Sequence, residues 1–270
     1  MINYNTILLT LAVLPAIVLM VYIYRQDTQE KEPIGMLLRA LLLGILSTIP
    51  AAFIENILTA FSPSNELPIA NGLFNGFVVA GLTEELCKMT ALTIAVWRSR
   101  YFDEYFDGIV YATFVSLGFA GLENVMYVFS QSTFGSAIAT GTMRAILSVP
   151  AHFLFGVAMG YYFALARFRP AQRSKYLALA LLVPALLHGT FDALLMIPEN
   201  MEHQGLISSI LFLAFLWFDL RLWKYGKRRL QQLQQLGNEA AAQTTAKNYS
   251  FEEEPPTQDH HFKDIDDINW

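Results

Sequence analysis

Hydropathy along the chain rises over seven stretches, each near or above the roughly 20 residues that a helix needs to cross about 30 Å of hydrocarbon. They lie at 6–24, 34–61, 70–97, 105–129, 142–167, 175–198 and 205–224. The pattern predicts an all-α polytopic membrane protein with about seven transmembrane helices. The first stretch reads as an uncleaved span, because residues 1–6 hold no Lys or Arg and the apolar run from Ile7 to Tyr24 is too long for a signal peptide. The second and third stretches exceed what the bilayer requires, which predicts tilt or extension into the interface.

Basic residues fix the expected orientation. The links after spans one, three and five hold Arg25 and Lys31, Arg98 and Arg100, then Arg169 and Arg173, with Arg167 and Lys175 at the flanking ends. The links after spans two, four and six hold none, and Arg221, Lys224, Lys227, Arg228 and Arg229 follow span seven. The N-terminus is therefore expected outside and the C-terminus in the cytoplasm, with a bacterial inner membrane as the expected location. Arg39 and Arg144 break the alternation and read as snorkelling side chains. The chain divides into a transmembrane helical domain, 1–225, and a cytoplasmic remainder, 226–270. In the latter, Lys227–Ala246 reads as a Gln- and Ala-rich helix, and the acidic end from Ser250, with Pro255-Pro256, as disordered. His260 and His261 fall in that end and read as solvated rather than as a metal pair.

Composition narrows the class. Hydrophobic residues make up 54% of the chain and charged residues 15%, against about 25% charged in a soluble domain. One cysteine gives no disulfide, and a net charge of −5 offers nothing to phosphate, so a disulfide scaffold and a nucleic-acid binder are excluded.

Against this apolar background stand ionisable groups at depths where a charge costs at least about 2.5–3.5 kcal/mol. Span three carries Glu84, Glu85 and Lys88; span four, Glu123 beside Asn124; span five, His152; span six, His188 and Asp192. Helical rise puts Glu84 and Glu85 at about 21 Å from the outer boundary, both His at about 15 Å, and Glu123 and Asp192 at about 9 Å. Spans three to six thus bring their polar groups into one layer and predict a polar active-site cavity between them. Spacing within helices cooperates: Glu84 and Lys88 are i, i+4, Glu85 and Lys88 i, i+3, His188 and Asp192 i, i+4. With the four carboxylates ionised and Lys88 protonated, the layer carries −3, which hydrocarbon does not tolerate. A divalent cation reduces that charge, as would two imidazolium ions; two His with carboxylates form a Zn2+-type donor set.

Several positions have two readings. Asp192 could simply orient His188. Asn124 serves equally as interhelical glue or as an oxyanion donor. Glu55 and Asn56, near the outer end of span two, read evenly as pore lining or interface. Asp107 and Asp219 need only a helix cap and a pair with Arg221. Cys87 reads as filler, and Gly118, Gly121, Gly156 and Gly160 as close-packing positions.

Glu84-Glu85-Leu-Cys-Lys88, Phe119-Ala-Gly-Leu-Glu123-Asn124, His152 with Gly156, and His188-Gly-Thr-Phe-Asp192 together resemble the four motifs of the PrsW family of intramembrane proteases. That family in turn resembles the CAAX prenyl proteases, whose first motif also begins with paired glutamates. The resemblance covers roughly residues 75–198. It implies a membrane endopeptidase, and in the family's namesake the first cut is made in a membrane-spanning anti-sigma factor. Amide hydrolysis requires a base for the water, an electrophile for the oxyanion and an acid for the leaving amine. On this reading Glu85, with Glu84 as its exchange, is the base. His152, His188 and Glu123 hold a metal, Asp192 positions His188, Asn124 donates to the oxyanion, and Lys88 keeps the carboxylates ionised. A metal-free variant, in which glutamate activates water and the two His bind the oxyanion, fits the same residues.

The expected partners are the lipid bilayer and a membrane protein or peptide substrate. Two other classes use similar residues: a transporter or proton relay, and a non-catalytic membrane scaffold. The motifs do not repeat between halves, as an inverted-repeat transporter would require, and the intact glutamates and histidines speak against a dead enzyme.

Overall fold

The computed structural model describes residues 3–27, 30–199 and 205–252; the acidic end with Pro255, Pro256, His260 and His261 lies outside the described residues. The described residues are helical, with no strand. In order they form α1 (Tyr4–Gln26), α2 (Ile34–Thr59), α3 (Pro68–Phe74), a π-helical segment (Asn75–Leu82), α4 (Thr83–Val96), α5 (Asp107–Phe129), α6 (Phe134–Ile146), α7 (Ser148–Phe168), a short 3-10 turn (Pro170–Gln172), α8 (Arg173–Glu199) and α9 (Gly205–Glu252).

Six helical stretches among the described residues are long and apolar enough to cross a membrane: Tyr4–Gln26, Ile34–Thr59, Asp107–Phe129, Phe134–Phe168, Pro170–Pro198 and Gly205–Ala240. The remaining predicted stretch, 70–97, is helical too, but the π segment divides it into three elements. The predicted fifth span also differs. Its helix breaks at Leu147, leaving a separate α6 whose start is held by a reciprocal capping box between Thr133 and Ser136. Exposed Leu38, Leu42, Leu46, Ile49 and Phe53 on α2, and Leu213, Leu216, Trp217 and Leu220 on α9, give both helices an apolar outer face. With no water to satisfy backbone groups, helices presenting such faces suit lipid. The protein is a multi-pass integral membrane protein.

α5 is the axis of the bundle. Every residue from Asp107 to Ala120 is buried, which small residues at the crossings make possible. A Cβ at Gly44 of α2 would collide with the Val115 carbonyl of α5, and one at Gly160 of α7 with the Gly108 carbonyl. The backbones approach closely in the manner of small-residue membrane interfaces. On the other side of the bundle, Gly76 and Gly81 of the π segment lie against the α8 backbone. Added Cβ atoms there would come within 2.7 Å of the Ala193 nitrogen and 2.8 Å of the Ala185 oxygen. That close contact sets the start of α4 beside the middle of α8.

Candidate active site

The first turns of α4 follow the π segment directly, and helix spacing puts Glu84, Glu85 and Lys88 on neighbouring positions of one face. Lys88 is fully buried. Its Nζ lies 3.0 Å from Glu84 Oε2, 2.8 Å from Glu85 Oε1 and 3.0 Å from His152 Nδ1 on α7. An ammonium has three donors and no acceptor, so these contacts use all three and leave His152 Nδ1 as acceptor. The proton of neutral His152 then sits on Nε2, 3.1 Å from Glu123 Oε2. His152 is itself held by α5, where Ser116 Oγ donates to its carbonyl at 2.7 Å.

From α8, His188 Nδ1 lies 2.9 Å from Glu85 Oε1 and Nε2 lies 3.2 Å from Asp192 Oδ2. Phe155 stacks on the His188 ring at 4.7 Å between centroids, and the two imidazoles are 5.1 Å apart. An unbroken polar chain therefore crosses four helices: Asp192, His188, Glu85, Lys88, His152 and Glu123.

Arg144 of α6 extends that chain. Its Nη2 is 2.9 Å from Glu123 Oε2, its Nε donates to Asn124 Oδ1 at 2.7 Å, and its guanidinium sits 4.1 Å above the Tyr127 ring. The snorkelling expected of this residue does not occur, because the turn at Leu147 aims the end of α6 inward. Asn124 makes the interhelical contact that is one of its two readings. Its Nδ2 donates to the Ala12 carbonyl of α1 at 2.8 Å, so the amide joins helices and is not free to meet an oxyanion. Asp219 makes no ion pair with Arg221, which instead lies over Trp217. Cys87 packs with Ala51 and Phe119.

A cavity of about 870 Å³ opens beside this chain. Glu84, Glu123, Arg144, His152, His188 and Asp192 face it; Glu85, Lys88 and Asn124 do not. Its walls continue through Glu55, Asn56, Asn71 and Asn75 toward the end of the bundle whose links lack Lys and Arg. The two glutamates thus differ in setting. Glu85 is locked between Lys88 and His188 behind the wall, whereas Glu84 looks into the space.

Glu84, Glu85, His152 and His188, all buried, can each offer one ligand atom within 4.8 Å of the others. Two imidazole nitrogens and carboxylate oxygens suit zinc. Glu85 Oε2 is buried without a hydrogen-bond partner, an orphan that a cation would satisfy. Glu123, expected as third ligand, lies outside this group because Arg144 and His152 engage its carboxylate.

Residues 32–218 match the family described as PrsW family intramembrane metalloprotease. The chain is 38% identical over 216 residues to Protease PrsW of Bacillus subtilis (strain 168), covering 79% of this chain and 93% of that protein. It is 37% identical over 215 residues to Protease PrsW of Clostridioides difficile (strain 630), covering 78% and 87%. Identity to Protease PrsW of Geobacillus kaustophilus (strain HTA426) is 37% over 220 residues, covering 82% and 92%. No solved structure matches the chain. The matched region spans the paired glutamates, both histidines and the cavity they line, and the chain belongs to the PrsW family of membrane-embedded proteases.

Proposed function

We propose that the protein is an endopeptidase that hydrolyses a peptide bond of a membrane-protein substrate, with Glu84 as the base that activates water. The observation that carries this reading is the difference between the two glutamates: Glu84 faces the 870 Å³ cavity beside both imidazoles, while Glu85 is held behind it. In the step, a water oxygen bonds to the substrate carbonyl carbon, and its proton passes to Glu84. The carbon–nitrogen bond then breaks as that proton is delivered to the leaving amine. Lys88 fixes the orientation of both carboxylates and of His152. Asp192 and Glu85 fix His188 from both ring nitrogens. Arg144 and the imidazoles supply positive character on the wall where an oxyanion would form.

A zinc ion held by His152, His188 and Glu85 would polarise the carbonyl and make the water more acidic, leaving Glu84 free as the base. The donor set and the orphaned Glu85 Oε2 support that assignment. We place the protein in a bacterial inner membrane with the Lys/Arg-poor end of the cavity outside, as the distribution of basic links argues. By the resemblance, the substrate is a single-span regulator of the anti-sigma-factor type.

The test uses purified protein in proteoliposomes with a single-span reporter peptide. Wild type is expected to cut it, and Glu84→Gln to reduce the rate by about 10²–10⁴-fold while eluting as the same folded species. Full activity in Glu84→Gln would overturn the assignment of the base, and an intact reporter with wild type would overturn the reading as a protease. The unbroken chain from Asp192 to Glu123 would also suit a proton relay, and pH-gradient decay in the same vesicles separates the two.

A further inference from the structure

The charged groups facing the cavity have partners, with one exception. Glu84 meets Lys88, Glu123 meets Arg144 and His152, and Asp192 meets His188. Glu55 of α2 makes no ion pair and no side-chain hydrogen bond among the described residues. Its Oε1 is shut off from solvent and has no hydrogen-bond partner. A carboxylate in that position carries a desolvation penalty that a cation would offset.

The surroundings of Glu55 show what kind of cation fits. The nearby cavity wall is built from Asn56, Thr59, Asn71 and Asn75, which are neutral hydrogen-bonding groups. Arg144, the one arginine on the cavity wall among the described residues, is engaged by Glu123 and Asn124. A positive charge to meet an ionised Glu55 would therefore come from outside the chain. Glu55 lies one turn before the end of α2 at Thr59, whereas Glu84 lies deep in the helical run that begins at Pro68. Both line the same cavity, and Glu55 sits nearer its Lys/Arg-poor end.

We propose that Glu55 is a specificity-determining residue that binds a lysine or arginine side chain of the substrate. That side chain would lie within a few residues of the scissile bond, toward the Lys/Arg-poor end of the cavity. The proposal rests on the protease reading for its placement beside a scissile bond. It gives the enzyme a selective mark, because basic residues are scarce on the non-cytoplasmic flank of membrane spans. A membrane protein carrying one there would stand out from the bulk of spans that diffuse past the cavity. Asn56 would hydrogen-bond the peptide around the bound cation, while Asn71 and Asn75, joined to each other at 2.9 Å, hold the wall beside it.

The experiment measures binding apart from hydrolysis. Glu84→Gln protein in nanodiscs is titrated with fluorescent single-span peptides that carry Lys, Gln or Glu at each of four successive flank positions. At one position the Lys peptide is expected to bind about tenfold more tightly than the Gln peptide, as a charge-assisted contact would give. Adding Glu55→Gln should bring that ratio to within about twofold, and Glu55→Lys should reverse the order in favour of the Glu peptide. Equal affinity for Lys and Gln peptides at every position, an unchanged ratio in Glu55→Gln, or no peptide binding would overturn the proposal. A Lys peptide that wild type binds through Glu55 but leaves uncut would instead overturn the protease reading and leave the cation site standing.

Discussion

Two of the buried polar clusters among the described residues are built on opposite plans. In the central one, acids and bases alternate: Lys88 lies between two glutamates, His188 between Glu85 and Asp192, and Glu123 between His152 and Arg144. In the other, at the basic end of the bundle, buried Asp27, Glu32 and Asp107 gather where the α1–α2 link meets the start of α5. Lys31 of that link donates to the backbone carbonyls of Tyr24 and Asp27 rather than to a carboxylate. Tyr111 donates to Glu32, and Asp107 Oδ2 accepts the N–H groups of Asp103 and Glu104 at 3.1 and 2.6 Å. Burial pushes the Glu32 carboxyl up to about 7, despite the hydrogen bond from Tyr111. Hydrogen bonds tie this second cluster together, and Gln234 of α9 closes over it by donating to the Gln26 carbonyl at 2.9 Å.

Buried polarity alone therefore does not mark an active site. The distinguishing feature is that charges are preorganised across helices on the wall of a cavity a substrate could enter. The second cluster fastens a link and a helix start.

The largest effects should separate the two clusters outright. Replacing His152 or His188 by Ala should abolish measurable peptide cleavage, whereas Asp107→Asn should leave the rate within about threefold of wild type and lower thermal stability instead. Comparable loss of activity in both would mean the clusters act as one. Metal content sharpens the contrast. Elemental analysis of gently purified protein should find near-stoichiometric zinc that His152→Ala and His188→Ala both remove and Asp107→Asn retains. Metal-free wild type that still cleaves would favour the glutamate-and-oxyanion mechanism.

Arg144→Ala should have an intermediate effect, lowering kcat about 10-fold by releasing Glu123 and Asn124, with Arg144→Lys recovering part of it. An unaffected rate would reduce Arg144 to a packing role. The smallest effect concerns pH. Because the Glu32 carboxyl is raised from 4.5 to about 7, the folded protein keeps a proton that the unfolded chain gives up. The stability this contributes is complete below about pH 4.5 and declines as pH rises through 7. Glu32→Gln should flatten the fall in Tm between pH 5 and 8, and an unchanged slope would show that Glu32 is already ionised.

Sequence made the central cluster largely legible because its logic is local. Pairs such as Glu84 with Lys88 and His188 with Asp192 follow from helical spacing, and equal depth brought both histidines together before any packing was known. Arg144 was not legible. As a lone cation in an otherwise Lys/Arg-poor end it was conspicuous, but its direction depends on the break at Leu147, which no periodicity encodes. Asn124 carried two readings, and packing against the Ala12 carbonyl of α1, 112 residues away, selected one. The 70–97 stretch read as a single long span because the π segment is apolar and continues the helical pattern.

That π segment sets the angular phase of everything after it. A π turn takes one more residue than an α turn, so the eight residues from Asn75 to Leu82 delay the rotation of α4 relative to α3. Were the same eight residues to relax into regular α-helix with their number unchanged, the rotation they hold back would be restored. That would swing Glu84, Glu85 and Lys88 together about the helix axis. The triad would survive intact, yet Glu84 would turn away from the cavity. The charged face of α4 is thus aimed by the winding of the segment upstream of it, and rewinding that segment would turn the face away without altering any of its side chains.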